Sequence, residues 1–365
     1  MATTLMAIFR GETHMLNEFE EQVKDANEQM TGKSPLDYLR QSILSESNLQ
    51  NIEIETPKKY LGPISEGTIG EIYGLRGIGK SFLMDVISLC LTRQISLGPF
   101  KCENPAGVLI IDAEMPIYLI KNRHKELSQN VGPAVKSLDF IANERLYKSG
   151  SSPINLSDAV WRESLLELIK SEKDRWDVII MDNLSSLLPG IKENDKDAWG
   201  PINQFLLQLR WMGKSANFIH HAGKNGDQRG TSSREDQLDY VLKLTLPTGH
   251  DPENGCRFDA TLTKSRSLTG VEVQPFTFEI IPHPNGGLTW NISSQREKRK
   301  EIIIALLGNG ATQKDIAAIM AVGKSYVSQI CKYAIDHGLL NTNGTSFTPA
   351  GQLKYGEIDI EKYFN

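Results

Sequence analysis

Residues 74–81 read Gly-Leu-Arg-Gly-Ile-Gly-Lys-Ser, which is a complete G-x-x-x-x-G-K-[ST] phosphate loop. Gly74, Gly77 and Gly79 let the backbone curl until its N–H groups point at bound phosphates. A strand-like stretch precedes the loop and a helix-like stretch beginning at Phe82 follows it, which is the context that the motif requires. The motif therefore predicts that residues 74–82 bind a nucleoside triphosphate.

Two side chains of this loop carry its chemistry. Lys80 would reach the β- and γ-phosphates, and Ser81 would ligate a Mg²⁺ that bridges phosphate oxygens. A tight Gly-rich turn with an incidental Lys-Ser is the alternative, which the strand-to-helix context disfavours. The sequence therefore predicts ATP and Mg²⁺ as ligands.

Four apolar runs elsewhere in the chain end in polar residues. They end at Asp112–Glu114, at Asp182, at His220–His221 and at Lys264–Arg266. Short β-rich runs that alternate with helical stretches are typical of a mainly parallel sheet covered on both faces. Because ligands collect at the carboxyl ends of the strands in such a sheet, we expect these residues to form the nucleotide site.

The acidic candidates suit two roles. Asp182 could hold Mg²⁺ through water, because Mg²⁺ keeps several of its waters and is bound by one or two carboxylates; an Asp that simply ends its strand is the alternative. Glu114 could orient the attacking water, and Asp112 is the alternative carboxylate for this role.

The basic candidates suit two further roles. His220 or His221 could sense the γ-phosphate by donating a hydrogen bond, or both could be packed side chains without a ligand. Arg266, with Lys264 beside it, could stabilise the charge on a phosphoryl group that is transferred in a neighbouring subunit.

The composition is that of an ordinary soluble protein. A length of 365 residues suggests about two domains. The longest aliphatic run, Ile302–Leu307, is far shorter than the ~20 residues that span a bilayer. The four cysteines lie far apart without C-x-x-C spacing, so we expect a reducing cytoplasm and no zinc site. With a net charge of −5, any DNA binding must come from local basic patches.

The motifs together resemble a known family. The phosphate loop, Ile110–Pro116, Met181–Leu187, His220–Lys224 and Gln228–Ser232 are similar to the RepA-type branch of RecA-like hexameric ATPases. These are relatives of replicative DNA helicases on plasmids, phages and mobile elements. The resemblance covers about residues 55–285. It implies a RecA-like phosphate-loop fold, a homohexamer, and single-stranded DNA in a central channel.

The resemblance also implies residue roles. Lys80 and Ser81 match the phosphate and magnesium positions, and Glu114 and Asp182 match the catalytic glutamate and the magnesium-site aspartate. One of the two histidines matches the γ-phosphate sensor, and Arg266 with Lys264 resembles a finger acting across a subunit interface. Residues 190–196 and 223–229 resemble the loops that line the channel.

Lys224 and Arg229 in the second of these loops could track DNA phosphates without reading bases. A solvated glycine-rich loop is the alternative. In the first loop, acidic side chains offset the lysines, so its contact with DNA is not supported by charge.

The C-terminal region suggests a second DNA-binding surface. Residues 294–340 hold seven basic and four acidic side chains, and they predict helices over 299–307, 312–320 and 324–332. In the third helix Val327, Ile330 and Cys331 would face inward. The outward face, suited to phosphates and base edges, would consist of Lys324, Ser325, Tyr326, Ser328 and Gln329. A turn at Asn343–Gly344 would lead to a wing at Phe347.

This region resembles a winged helix-turn-helix that would bind duplex DNA such as an origin. A helical module that mediates assembly is the alternative. We therefore expect three regions: a polar N-terminal arm over 1–55 that docks or is partly disordered, an ATPase core over 56–290, and the winged helix over 291–365.

The favoured function is a DNA helicase or translocase that acts in replication of a mobile element. Two alternatives stay open. One is a RecA-like loader or recombination mediator without unwinding activity. The other is a DNA-binding regulator in which ATP switches the oligomeric state.

Overall fold

The computed structural model describes residues 33–190, 196–223, 236–247, 255–358 and 360. The chain divides into two compact units, Met1–Thr56 and Pro57–Asn365.

The described part of the first unit holds two short helices, α1 (Pro35–Gln41) and α2 (Glu46–Asn51), neither of which contains a buried residue. Ser34 caps α1 through a reciprocal capping box with Asp37, and Ser45 caps α2. Local capping bonds therefore define these helices.

A nine-stranded sheet forms the centre of the second unit, in the order β11-β10-β9-β8-β3-β7-β6-β4-β5. The pairs among β3 to β8 are parallel, whereas β9, β10 and β11 pair antiparallel. The strands are β3 (Ile69–Gly74), β4 (Val108–Asp112), β5 (Leu138–Ala142), β6 (Val178–Asp182), β7 (Ser215–His221), β8 (Tyr240–Thr245), β9 (Arg257–Ser265), β10 (Phe276–Pro282) and β11 (Leu288–Ser294). A separate two-stranded sheet pairs β1 (Lys59–Leu61) with β2 (Ile64–Ser65). The predicted α/β class with a mainly parallel sheet is confirmed.

Apolar clusters cover both faces of this sheet. Ile110 packs in one cluster, whereas its neighbours Leu109 and Ile111 pack in the other. Because side chains alternate along a strand, the two clusters lie on opposite faces, which explains why β4 and β6 are buried along their whole length. The helices around the sheet are α3 (Lys80–Arg93), α4 (Ile117–Ser128), α5 (Asn143–Lys148), α6 (Ala159–Ser171), α7 (Leu184–Leu187) and α8 (Lys196–Trp211). Within the described ranges, no helix is both long and apolar enough to traverse a bilayer.

In the part of the chain that the structure describes, four helices follow the sheet and share a third apolar cluster. They are α9 (Gln295–Gly308), α10 (Gln313–Ile319), α11 (Lys324–Asp336) and α12 (Pro349–Tyr355). Thr312 caps α10 as the sequence predicts, by accepting a hydrogen bond from the Asp315 N–H at 3.2 Å. β11 runs to Ser294, so the sheet extends past residue 290.

The predicted wing is smaller than a two-stranded hairpin. Leu340 and Phe347 form one isolated antiparallel bridge, and α12 begins directly afterwards. The turn between them closes through a hydrogen bond from the Gly344 N–H to the Asn341 carbonyl at 2.8 Å. Gly344 has a φ of 69°, which favours glycine at this position.

Candidate nucleotide site

The parallel strands bring their carboxyl ends to one edge of the sheet. Gly74 at the end of β3 pairs with His221 at the end of β7, and Asp112 of β4 pairs with Asp182 of β6. The phosphate loop, an acidic pair and the histidines therefore meet at the edge where α/β sheets bind ligands.

The loop is shaped by glycines with positive φ. Gly77 and Gly79 have φ values of 76° and 108°, and a Cβ at Gly79 would lie 2.3 Å from the Cys256 sulfur. Gly79 caps α3 without a side-chain hydrogen bond. The first N–H groups of this helix are therefore available to an anion.

Lys80 lies at the start of α3 and is 4% exposed. Its Nζ donates to the carbonyl oxygens of Gly74 at 3.0 Å and Leu75 at 2.7 Å. Burial lowers the pKa of Lys80 to about 8, against the opposing effect of Asp182 and Glu114. A bound phosphate would supply the negative charge that this buried ammonium group favours.

Ser81 and Asp182 supply the oxygens that a magnesium ion would need. The Ser81 hydroxyl donates to the buried Asp182 carboxylate, whose pKa burial raises to about 6. A hydroxyl and a carboxylate beside a phosphate-binding loop fit Mg²⁺, and Ser81 and Asp182 would hold it there.

The two alternative carboxylates of the β4 end have different surroundings. Asp112 is buried, and its Oδ1 accepts the N–H groups of Glu114 at 3.0 Å and Met115 at 2.8 Å. The Asp112 carboxylate therefore stabilises the turn that follows β4. The Glu114 side chain is 58% exposed, and its Oε2 lies 4.0 Å from the His221 Nε2. The geometry favours Glu114 as the group that faces a substrate.

Asn183 is a site residue that the sequence analysis does not select. Its Nδ2 donates to the Glu114 Oε2, and its Oδ1 accepts the Ser186 N–H at 3.0 Å as the N-cap of α7. An Asn that follows a buried strand and precedes a short helix is a capping signal, and it could have drawn attention to this residue.

The two histidines lie in different environments. His220 is fully buried, whereas the His221 side chain is 16% exposed and lies beside Glu114. Of the pair, His221 is therefore the side chain with accessible surface, and it lies next to Glu114. Both belong to β7 rather than to a loop after it.

A buried ion pair lies on the helices next to the loop. Arg123 of α4 contacts Asp85 of α3 with 2.5 Å between Nε and Oδ2, and both side chains are largely buried. Burial raises the pKa of Asp85 to about 7, while Arg123 lowers it. Arg123 also lowers the pKa values of Asp112 and Asp182, so it offsets the repulsion among three buried acids.

We expect Arg123→Met to cost about 3–5 kcal/mol of unfolding free energy at pH 8, because it leaves a buried carboxylate unpaired. Without Arg123, the folded-state pKa of Asp85 rises further above its unfolded value. Folding of the variant then takes up a proton, so the unfolding free energy lost through the substitution should become smaller as the pH falls to 5.5. Urea denaturation at both pH values measures this. Lys148→Met, which breaks the exposed pair with Glu144, should change little at either pH. An equal loss from Arg123→Met at both pH values would contradict the assignment.

Arg266 and Lys264 lie elsewhere, contrary to the expectation that all four strand ends meet. β9 runs antiparallel to β8, and its last residue, Ser265, pairs with Tyr240, the first residue of β8. Tyr240 in turn pairs with Gly70, near the start of β3. The end of β9 is therefore at the opposite edge of the sheet. Arg266 is five residue steps from the start of the phosphate loop along β3, or about 16 Å.

The C-terminal candidates lie on α11. Lys324, Ser325, Ser328 and Gln329 are exposed, and Tyr326 is half-buried. Residues buried on the opposite face are Val327, Ile330 and Cys331. Lys224, Arg229 and most of the first proposed channel loop lie outside the described residues.

Residues 34–227, more than half of the 365, match the family described as an AAA domain. No curated protein matches the chain significantly. A KaiC-like protein of the hyperthermophilic archaeon Pyrococcus horikoshii OT3 is 15% identical, with a TM-score of 0.42 over 62% of this chain and 91% of that one. For the flagellar accessory protein FlaH of Methanocaldococcus jannaschii, the TM-score is 0.40 at 15% identity, with the same two coverages. By the family match over more than half of its length, this chain belongs to the AAA domain family and is a phosphate-loop ATPase.

Proposed function

We propose that the protein is an ATP-dependent DNA helicase or translocase of the RepA type, active as a homohexamer in the replication of a plasmid, phage or mobile element. The observation that carries this proposal is the position of Arg266. Along the strand direction it lies about 16 Å from its own phosphate loop, at the other edge of the sheet, and its side chain is half exposed. An arginine so placed can serve a neighbouring subunit's nucleotide and not its own.

The contacts described above support the following roles at the edge of the sheet that carries the phosphate loop. Lys80 binds the phosphates, and Ser81 and Asp182 hold the metal ion. The ion neutralises charge on the phosphate oxygens when it is bound. Glu114 orients the attacking water, and His221 donates a hydrogen bond towards the γ-phosphate. Asn183 holds the Glu114 carboxylate in place before the substrate arrives.

The proposed DNA contacts are of two kinds. Lys224 and Arg229 would grip single-stranded phosphates in the central channel, where contact with the backbone is independent of sequence. The exposed face of α11 would contact duplex DNA as part of a winged helix-turn-helix.

Strand displacement on a forked duplex tests the helicase proposal. We expect unwinding that needs ATP and Mg²⁺ and that Lys80→Ala abolishes. DNA-stimulated hydrolysis without strand displacement would favour the loader or mediator function instead. The cytoplasm is the expected location of either activity.

The exposed face of α11 also supports a second candidate, an ATP-switched DNA-binding regulator. If α11 reads duplex DNA, Ser325→Ala, Ser328→Ala and Gln329→Ala together should weaken duplex binding about ten-fold or more, because each base contact contributes roughly 1–3 kcal/mol. Fluorescence anisotropy at one fixed salt concentration measures this. Gln352→Ala, on an exposed part of α12, is the matched control. Unchanged affinity in the triple variant would identify the C-terminal helices as an assembly module.

A further inference from the structure

One carboxylate, that of Asp239, receives three hydrogen bonds at the edge of the sheet opposite the phosphate loop. Its Oδ2 accepts the Ile69 N–H at 2.8 Å and a bond from the Arg210 Nη2. Its Oδ1 accepts from the Arg266 Nη1 at 3.2 Å. Asp239 thus joins two arginines to the first residue of β3, the strand that leads to the phosphate loop.

The backbone N–H and the guanidinium of Arg266 both donate to the turn that precedes β8. Its backbone N–H donates to the Asp239 carbonyl at 2.9 Å, and its Nη2 donates to the Asp236 carbonyl at 2.7 Å. The side chain is nevertheless 50% exposed. Its guanidinium is therefore fixed in direction and still accessible to another molecule.

Arg210 keeps this cluster positively charged. It is bound independently, with its Nε donating to the Gly67 carbonyl and its Nη2 to the Gln237 carbonyl, each at 2.9 Å. Two arginines share the Asp239 carboxylate, so these three side chains together carry one excess positive charge. Because Arg210 is the more buried arginine, the exposed part of this charge lies at Arg266.

We propose that Asp239 is a positioning residue that holds Arg266 ready for the nucleotide of the adjacent subunit. This inference rests on the proposed role of Arg266. An arginine that is already oriented loses less conformational freedom when it meets the transferring phosphoryl group, so its stabilisation of the transition state is larger. Asp239 itself touches no substrate.

The test is Asp239→Asn in the full-length protein. The amide oxygen can still accept the Ile69 N–H, but the charge that orients Arg266 is lost. We expect kcat for ATP hydrolysis to fall on the order of ten-fold with KM for ATP nearly unchanged. Asp236→Asn is the matched control, because Arg266 contacts only the backbone carbonyl of Asp236, and it should keep full turnover.

Two further measurements separate positioning from a structural role. The double variant Asp239→Asn/Arg266→Ala should be no slower than Arg266→Ala alone, because Asp239 acts through Arg266. Mixing Asp239→Asn subunits with Lys80→Ala subunits should restore part of the turnover, since the Lys80→Ala subunit presents an oriented Arg266 to an intact loop.

Each of four results would overturn the inference. The first is full turnover by Asp239→Asn. The second is a double variant slower than Arg266→Ala alone. The third is that Lys80→Ala subunits restore turnover to Arg266→Ala but not to Asp239→Asn. This result would support the shared site and would give Asp239 a structural role. If neither variant is rescued in mixed assemblies that are shown to form, the shared site fails and the inference fails with it.

Discussion

Glu114→Gln should reduce ATP hydrolysis by about 10²–10⁴-fold while the protein still binds ATP. Glutamine keeps the size of the side chain and its contact with Asn183, but it cannot accept a proton from the attacking water. Steady-state phosphate release measures turnover, and a fluorescent ATP analogue measures binding.

Two other variants make this result specific. Lys80→Ala should weaken nucleotide binding itself, because it removes the cation that contacts the phosphates. Asp112→Asn should affect stability more than chemistry, since Asp112 holds the turn through two backbone N–H groups. Turnover at the unmutated rate in Glu114→Gln would instead make Asp112 the candidate for water orientation.

Arg266→Ala should lower turnover by on the order of 10³-fold or more and leave nucleotide affinity largely unchanged. The arginine lies at the edge of the sheet opposite its own loop, so its loss should affect the reaction in the adjacent subunit only. Hydrolysis rates and nucleotide titrations of the purified variant measure the two effects.

Mixing provides the decisive control for this prediction. Arg266→Ala subunits have an intact loop, and Lys80→Ala subunits have an intact arginine. A mixture of the two inactive proteins should therefore regain part of its activity. If mixed assemblies form and stay inactive at every ratio, the site is not shared between subunits.

The local parts of the site can be predicted from the sequence. The phosphate loop follows from its glycine spacing, and the strand ends at Asp112, Asp182 and His221 follow from apolar runs that stop at polar residues. These signals are contained within about ten neighbouring residues. Parallel pairing then brings them together, because every parallel strand ends at the same edge.

The parts that depend on pairing between distant segments could not be predicted. The direction of β9 determines the edge of the sheet at which Arg266 lies. An apolar run in the sequence does not indicate whether its strand pairs parallel or antiparallel with its neighbour. Asp239 and Arg266 meet because β8 pairs with β9, and Arg210 reaches them from the end of α8. The contact of Arg123 with Asp85 depends in the same way on how α4 packs against α3.

The separation of the phosphate loop and Arg266 onto opposite edges has a consequence for symmetry. Subunits that complete each other's sites must meet unlike edge to unlike edge, whereas a two-fold dimer joins identical surfaces. Such a head-to-tail contact repeats until it closes into a ring or continues as a filament. An open assembly always has one complete site fewer than it has subunits. Activity per subunit should therefore rise with assembly length and reach its maximum on closure.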